Sequence, residues 1–469
     1  MSHEKQWKNA GLFLLQVSIV IINTILFAAI WYAYYKGRMW GTAFYRKGDY
    51  LLVLLYLCLI GVMTKLYGGV DLKISRISEL IYSHVIAIFI TNAMMYIVIL
   101  LLTRRPKSIL PLLLVTVLEI IVSAIWSYMA NHLTNRLFKA ADVLLVYDNE
   151  EAFKNGGEII DRLTWRFNPV GELKLTGQDE MDKLVEKMKN TKATALMLCG
   201  LTSSQRNDII KYCVENDIRA YVRPNIGDFI ISNAKTLQMA NLPVMICERA
   251  TPSLFYVVMK RLMDILISLI GLIIASPFLL ITAIAIKAYD HGPVFYKQVR
   301  LTKNGREFKI LKFRSMKVDA EKDGVARLSS ENDDRITPVG KVIRACRIDE
   351  LPQLINILKG DLAVVGPRPE RPEIAAQYVE EMPEFSLRLQ VKAGLTGYAQ
   401  VYGKYNTEPY DKLQMDLMYV NQMGLVSDVK IILATIKILF MPESTEGIAE
   451  GQTTASGKVK IPVSYTHLT

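Results

Sequence analysis

The apolar positions of the chain are concentrated first in four long runs near the amino terminus, separated by short polar segments. Each run has roughly the 17–25 residues that a helix needs to cross the hydrocarbon core of a bilayer. Four spans would return the chain to its starting side, but lysine and arginine do not orient them, since seven lie on each side. His84 and Glu119 fall inside the runs, where we expect partners within the bundle to satisfy them. The pattern predicts a four-helix transmembrane domain over 1–138, with spans at 11–35, 50–67, 79–102 and 108–130.

The pattern then changes to short apolar strands that alternate with amphipathic helical stretches. This alternation predicts a small Rossmann-like parallel α/β domain over 139–250. After the first strand, the turn reads YDNEEAFKNGG, whereas a dinucleotide-binding turn would carry Gly-x-Gly-x-x-Gly. A regulatory or dimerisation module is therefore favoured, with a homodimer as the expected assembly. The predicted strands are ADVLLVY, ATALMLC, IRAYV and PVMICE.

A fifth apolar run, from Ile265 to Ile286, carries Ser276 and Pro277 at its middle. Proline removes a backbone donor and clashes with the preceding turn, which predicts a break. Both flanks of the run are basic. The residues leave two interpretations open for 251–290: a fifth span, or a helix-break-helix hairpin that re-enters the face it came from.

From residue 291 the chain is less apolar but strongly basic. Residues 297–317 carry eight lysine or arginine residues against one acid, Glu307, with aromatic residues among them. Asn304 and Gly305 between the two basic runs predict a hairpin turn. The pattern indicates a surface that lies at lipid headgroups and binds phosphate. Nucleic acid is not an expected partner, because membrane spans precede this segment.

Composition agrees with a membrane protein that has an anionic partner: 469 residues, 51% hydrophobic, mean hydropathy +0.22 and net charge +11. Five scattered cysteines without a CxxC pair argue against disulfides or zinc and for a reducing compartment. The first apolar run is too long for a cleavable signal peptide. The last residues, VSYTHLT, resemble translated adapter sequence, so 446–469 is regarded as a tail with an artefactual end.

The stretch RIDELPQLINILKG contains an adjacent acid pair, Asp349 and Glu350. Pro352 is tolerated in a first helical turn, so a helix is predicted to begin around 349–352 and to end at Gly360. The helix dipole would keep the acids ionised, as a nucleophile or a Mg²⁺ ligand must be. The predicted buried stripe of this helix is Leu351, Leu354, Ile355 and Leu358.

Taken alone, such a pair is ordinary helix capping, but cations surround this one. Fixed arginine charge and a divalent metal are what a carboxylate needs in order to attack a diphosphate. The acid pair, its arginines and the basic cluster together indicate phosphoryl transfer at a membrane surface. The candidate phosphate- and substrate-binding residues are Arg344, Arg347, Arg368, Lys309, Lys312 and Arg314.

Motifs over 260–402 carry a resemblance to a known family. They are KRLMDILIS, the Ser276-Pro277 pair, GPVFYKQVR, NGREFKILKFRSM, ITPVGKVIR, RIDELPQLINILKGDLAVVGPRPE and VKAGLTGYAQV. In these the chain resembles the polyprenyl-phosphate hexose-1-phosphate transferases, that is, the bacterial sugar transferases or monotopic phosphoglycosyl transferases. Two stretches depart from the family pattern: Cys346-Arg347-Ile348 replaces Thr-Ser-Leu, and VKAGLTGYAQV has Ala393 for Pro and Tyr398 for Trp.

The resemblance implies a compact α+β catalytic domain over 291–445 and a two-step reaction. Asp349 would attack the β-phosphate of a UDP-hexose and release UMP, and undecaprenyl phosphate would then accept the sugar phosphate from the aspartyl intermediate. Glu350, with Asp349, would hold Mg²⁺, and Arg344 and Arg368 would bind phosphate. The break at Ser276-Pro277 would make the fifth run re-entrant, with the catalytic domain on the cytosolic face of the bacterial inner membrane. The reaction would begin exopolysaccharide, capsule or O-antigen synthesis. The alternative is a non-catalytic membrane scaffold or nucleotide sensor of the same pathway.

Overall fold

The computed structural model describes residues 3–36, 47–73, 75–104, 107–177, 180–239, 242–318, 335–403 and 407–439. The chain divides into two compact units, Met1–Pro224 and Asn225–Thr469. The predicted tail, 446–469, lies outside the described residues.

The first unit begins with the four predicted apolar helices, each long and apolar enough to cross a membrane. Inside the bundle the buried Glu119 accepts hydrogen bonds from Tyr56 and Asn92, at 2.9 and 2.6 Å, so the expectation of an internal partner is confirmed. His84 contacts the Trp126 ring edge-on, but neither of its ring nitrogens has a hydrogen-bond partner among the described residues, so the expectation is not confirmed for His84. The helices are α1 (His3–Ile30, continued by a π-helical turn, Trp31–Tyr35), α2 (Gly48–Leu66), α3 (Ile77–Thr103) and α4 (Leu110–Leu137).

A four-stranded parallel sheet of order β2-β1-β3-β4 completes the first unit and confirms the predicted α/β alternation. The segment after β1 is a helix rather than a turn, because the Asn149 side chain accepts a hydrogen bond from Ala152 N and caps it. Gly156 lets this helix approach the sheet, since a β-carbon there would lie 2.4 Å from Leu145 Cδ1. The elements are β1 (Ala141–Tyr147), α5 (Glu150–Arg162), β2 (Phe167–Lys174), α6 (Met181–Thr191), β3 (Ala195–Cys199), α7 (Ser203–Glu215) and β4 (Arg219–Val222).

The predicted strand PVMICE does not join this sheet. It forms β6 (Leu242–Ile246), which pairs antiparallel with β5 (Lys235–Met239) in a hairpin of the second unit. This hairpin follows α8 (Ile226–Ser232). The hairpin lies inside the predicted range 139–250 of the α/β domain, whereas the last strand of the parallel sheet ends at Val222.

The fifth apolar run is one continuous helix, α9 (Leu254–Asp290), with Pro277 inside it. The predicted break in helical structure is therefore wrong. Pro277 cannot donate to the carbonyl of Ile273, but the Ser276 hydroxyl does so at 2.8 Å, which restores the lost hydrogen bond. The re-entrant path itself stays a prediction.

The rest of the second unit is an α+β assembly around a hairpin of β7 (Phe295–Leu301) and β8 (Glu307–Phe313). The predicted turn is confirmed: Asn304 and Gly305 both adopt positive φ, at 61° and 74°. β9 (Ala363–Val365) and β10 (Gly394–Thr396) form a parallel pair. The helices are α10 (Pro338–Ala345), α11 (Gln353–Lys359), α12 (Pro372–Glu381), α13 (Tyr398–Tyr402), α14 (Pro409–Asn421) and α15 (Leu425–Leu439), and 3₁₀ turns lie at Ile348–Glu350 and Pro383–Gln390.

Candidate active site

The acid pair stands on a separate turn rather than on the predicted helix. Arg347 adopts a left-handed conformation, φ 56°, after α10, and the 3₁₀ turn that follows carries Asp349 and Glu350. Helix α11 begins only at Gln353. A positive φ at a residue other than glycine is uncommon, and here it turns the chain so that the acids lie just before α11.

Helix α11 buries a different face from the one predicted. Leu354 is buried as expected, but Gln353, Asn356 and Ile357 are buried with it. The Asn356 carboxamide bridges to β8: its Oδ1 accepts from Leu311 N and its Nδ2 donates to Lys309 O, both at 2.9 Å. This side chain fixes the strand against the helix, and the sequence pattern did not reveal it because Asn within an apolar run carries no periodic signal.

Glu350 is the centre of an ion-pair network. Its Oε1 accepts from Lys312 Nζ at 2.9 Å and from Arg368 at 3.4 Å. Burial raises the pKa of Glu350, but Lys312 and Arg368 outweigh it and hold the pKa below its ordinary value. Glu350 is thus ionised, as a metal-binding carboxylate must be.

Asp349 lies in a different electrostatic environment. Burial raises its pKa above the ordinary value, and the neighbouring Glu350 charge adds to the effect. The cations Lys312, Arg344 and Arg347 oppose this rise. Among the residues that the structure describes, none donates a hydrogen bond to this carboxylate, so its oxygens remain available. A carboxylate with a raised pKa is more basic, which favours nucleophilic attack once it is ionised.

An open cleft of about 250 Å³, counting the space at its mouth, adjoins this network. Arg300, missed as a site residue, donates to Pro369 O at 3.0 Å and to Gln298 Oε1 at 2.7 Å. Burial lowers the pKa of Arg300 to about 10, helped by the Arg368 and Arg371 charges. The lining residues are Arg300, Ile310, Lys312, Glu350, Gln353, Arg368, Pro369, Gly394, Leu395 and Gln400.

The turn that carries Arg368 is held rigidly at its backbone. Arg388 donates to the Arg368 carbonyl at 2.9 Å, and Arg388 is itself paired with the buried Asp416 at 2.6 Å. The backbone just before the turn packs closely on β10, because Gly366 and Gly394 lack side chains: a β-carbon on Gly394 would lie 2.1 Å from Gly366 N. Pro367 and Pro369 on either side of Arg368 restrict the same backbone further.

Four of the six predicted phosphate-binding residues are not among the residues that line the cleft, and neither is Asp349. Lys309 is exposed. Because successive side chains of a strand point to opposite faces, Lys309 projects from the face of β8 opposite to that of Ile310 and Lys312. Arg314 is buried and pairs with Asp290 and with Pro293 O, which its Nε reaches at 2.7 Å. The prediction of a phosphate contact for Arg314 is corrected to a structural role, because its guanidinium ties β8 to the end of α9.

The other predicted site residues divide into two groups. Arg344 and Arg347 act on Asp349 through charge, whereas Ser276 and Pro277 lie within α9. The two substitutions within VKAGLTGYAQV also have local contacts. The Ala393 N–H donates to the Thr302 hydroxyl at 3.2 Å, a bond that proline could not make, and the Tyr398 ring packs on the Tyr402 ring.

The donor set fits a magnesium ion bound together with phosphate. Mg²⁺ takes one or two protein carboxylates and completes its shell with substrate phosphates and water. Asp349 has no hydrogen-bond donor among the described residues, and the contacts described for Glu350 use its Oε1 alone. No group of three or more His, Cys, Asp or Glu side chains that could hold a metal occurs in the described part of the chain, so substrate oxygens would have to supply further ligands.

Long apolar helices and a cationic cleft that Glu350 of the acid pair lines define this chain as a membrane protein with an anion-binding candidate site. The Bacterial sugar transferase family model matches residues 255–442. A putative undecaprenyl-phosphate N-acetylgalactosaminyl 1-phosphate transferase of Bacillus subtilis is 49% identical over 134 residues, 29% of this chain and 74% of the relative. The chain belongs to the bacterial sugar transferase family.

Two larger relatives match over a longer stretch. A UDP-N-acetylgalactosamine-undecaprenyl-phosphate N-acetylgalactosaminephosphotransferase of Aeromonas hydrophila is 42% identical over 191 residues, 40% of this chain and 45% of the relative. A UDP-glucose:undecaprenyl-phosphate glucose-1-phosphate transferase of Klebsiella pneumoniae is 38% identical over 218 residues, 45% of this chain and 47% of the relative. The chain thus spans about half the length of these two relatives.

Proposed function

We propose that this protein transfers hexose-1-phosphate from a UDP-sugar to undecaprenyl phosphate, forming undecaprenyl-diphosphate-sugar and UMP. The family and the printed activities of the Aeromonas and Klebsiella relatives support this reaction. Those two relatives differ in their sugar, so the proposal extends to a hexose and no further. The reaction would be the first membrane step of exopolysaccharide, capsule or O-antigen synthesis.

The observation that carries the proposal is the contrast between the two adjacent acids. Glu350 is held ionised by Lys312 and Arg368, whereas Asp349 has a raised pKa and no hydrogen-bond donor among the described residues. Two neighbouring carboxylates whose pKa values are pushed apart by their surroundings commonly have separate catalytic roles. Asp349 is suited to attack, and Glu350 to hold charge in place.

In the first step an Asp349 oxygen would attack the β-phosphorus of the UDP-sugar. A new oxygen–phosphorus bond forms, and the bond from that phosphorus to the bridging oxygen breaks with its electron pair leaving on UMP. In the second step the phosphate oxygen of undecaprenyl phosphate attacks the same phosphorus and releases the Asp349 carboxylate. Lys312 and Arg368, fixed beside the cleft, would stabilise the charge on the phosphate oxygens.

Asp349 and Glu350 are the residues that would hold Mg²⁺. When bound, the ion would neutralise phosphate charge that otherwise repels the attacking carboxylate. The apolar helices support a membrane location, and the lipid acceptor requires one. We propose that the protein lies in the bacterial inner membrane with the catalytic domain on its cytosolic face, where nucleotide sugars occur.

The test is the Asp349→Asn variant of the full chain in nanodiscs, supplied with undecaprenyl phosphate and a panel of radiolabelled UDP-sugars. We expect the wild-type protein to release UMP and to carry label on the chain when the lipid is withheld, and the variant to do neither. Asp182→Asn, at an exposed position of α6, is the matched control and should behave as wild type. Normal turnover in Asp349→Asn would exclude the mechanism, and release of UDP would exclude phosphosugar transfer.

A further inference from the structure

Four basic residues gather in the first unit where the membrane helices adjoin the parallel sheet. Lys73 and Arg76 lie between α2 and α3, Arg166 precedes β2, and Arg219 begins β4. The Arg166 guanidinium donates to the Lys73 carbonyl at 3.0 Å, which joins the connecting segment to the sheet. We call these four residues the junction cluster.

Aromatic rings hold three of the four cations. A cation over a ring face is stabilised by the ring quadrupole, and the neutral partners of these side chains, such as Asn9 Oδ1 at 3.3 Å from Lys73 Nζ, leave their positive charge in place. The pairs are Lys73 with Phe138 at 4.0 Å, Arg76 with Trp165 at 5.1 Å, and Arg166 with Phe167 and with Tyr221, each at 5.9 Å.

The positive charge of the junction cluster is not compensated within the described part of the chain. No described carboxylate lies within salt-bridge distance of the four side chains, and Glu79 bonds the backbone N–H of Arg76 at 3.1 Å rather than its guanidinium. Burial lowers the pKa of Lys73, and repulsion from Arg166 and Arg219 lowers it further. Like charges held together in this way favour binding of an anion.

The position of the junction cluster identifies the anion. Lys73 and Arg76 lie in the short connection between two helices that are long and apolar enough to cross a membrane, so the cluster lies at the level of lipid headgroups. Aromatic and basic side chains are typical of that level, and arginine matches the oxygens of a phosphate geometrically. We infer that the junction cluster binds the headgroup phosphate of an anionic phospholipid and so attaches the sheet to the bilayer surface.

This inference does not depend on the proposed function, because it concerns the first unit and is tested by binding alone. The full chain in detergent is titrated with phosphatidylglycerol or phosphatidylcholine, and bound lipid is counted by native mass spectrometry. The test variant is Arg76→Gln/Arg219→Gln, which removes two exposed charges. The matched control, Lys154→Gln/Lys189→Gln, removes two exposed charges from α5 and α6.

We expect wild type and control to bind phosphatidylglycerol more tightly than phosphatidylcholine. A basic group at the membrane surface contributes about a fivefold change in affinity, so the test variant should bind phosphatidylglycerol roughly 25-fold more weakly, with phosphatidylcholine unchanged. Unfolding midpoints close to that of wild type check that both variants fold.

Three results would overturn the inference. The first is equal phosphatidylglycerol binding by test and control variants. The second is an absence of preference for phosphatidylglycerol together with saturable binding of inorganic phosphate, which would indicate a free-anion site. The third is tighter binding of undecaprenyl phosphate than of phosphatidylglycerol, lost in the test variant, which would assign the cluster to an isoprenoid phosphate.

Discussion

Replacing Lys312 with methionine tests the electrostatic design of the acid pair. The substitution keeps a long apolar side chain but removes the ammonium that donates to Glu350 at 2.9 Å. Lys312 and Glu350 are only 20% and 16% exposed, so water would replace the lost charge poorly. Arg368, which lies 3.4 Å from Glu350 Oε1, would remain as a cation beside this carboxylate.

The magnitude follows from the geometry. Two unit charges about 4 Å apart interact by about 4 kcal/mol at an effective dielectric constant of about 20. Because both side chains keep some solvent and the buried lysine no longer has to be desolvated, we expect a net loss of roughly 2–3 kcal/mol in the free energy of unfolding at neutral pH. The pKa of Glu350 would then rise from its lowered value, because burial, the largest influence on it, would be opposed by fewer positive charges.

This change weakens the pH dependence of the Glu350 contribution. In wild type the pKa is lowered, so the carboxylate stabilises the fold above its unfolded-state pKa, and this stabilisation is lost as the pH falls. In Lys312→Met the pKa is lowered less, so the carboxylate stabilises the fold less at neutral pH and has less stabilisation to lose on acidification. The difference in unfolding midpoint between the two proteins should therefore narrow as the pH is lowered.

Thermal unfolding in nanodiscs at several pH values measures the difference in unfolding midpoint. A parallel assay measures UMP release by Lys312→Met, which we expect to fall about 10²- to 10³-fold. Lys309→Met is the matched control, since Lys309 is exposed and projects from the opposite face of β8. A variant with wild-type activity, or with a stability deficit that is constant from acid to neutral pH, would refute the reasoning.

Three further predictions concern neighbouring parts of the site. The acid limb of kcat/KM should follow a pKa above that of an ordinary aspartate, because burial and Glu350 raise the pKa of Asp349; a pH–rate profile with a limb at or below the ordinary value would contradict this. Arg388→Met would leave the buried Asp416 unpaired and should destabilise the fold by about 3–5 kcal/mol, seen as a lower unfolding midpoint; an unchanged midpoint would exclude the pair as a support of the cleft. Gly394→Ala should reduce UMP release and stability together, because its β-carbon would meet the Gly366 backbone at 2.1 Å; wild-type values would show that the backbone at Gly366 can move aside.

Elements with a strong local pattern were predicted well from the sequence. The four apolar runs became α1 to α4, and ADVLLVY became β1 with the predicted ends, Ala141–Tyr147. Such elements depend on side chains within a few residues of one another, so hydrophobic periodicity is enough to identify them. The exposed strand β2, FNPVGELK, was missed because it has neither an apolar run nor strict alternation.

Elements whose form depends on a partner were predicted less well. An apolar strand pattern does not specify which strand it pairs with, and β6 pairs with β5 instead of the parallel sheet. Pro277 predicts a break, but one hydroxyl on the preceding residue keeps α9 continuous. In each case the local sequence allows two forms, and one hydrogen-bonding partner decides between them: the strand β5 for β6, and the Ser276 hydroxyl for α9.

The sequence by itself determined the chemistry available to this protein: apolar helices of bilayer length, and an acid pair among arginines. The tertiary structure decided how those charges are used. Lys312 and Lys309 are three residues apart on one strand, yet the pleat directs the first to Glu350 and leaves the second in solvent. Arg314 is buried against Asp290, and Arg300 enters the cleft. Charge is a property of each residue, whereas its partner depends on strand direction and contacts between distant segments, which exist only in the folded chain.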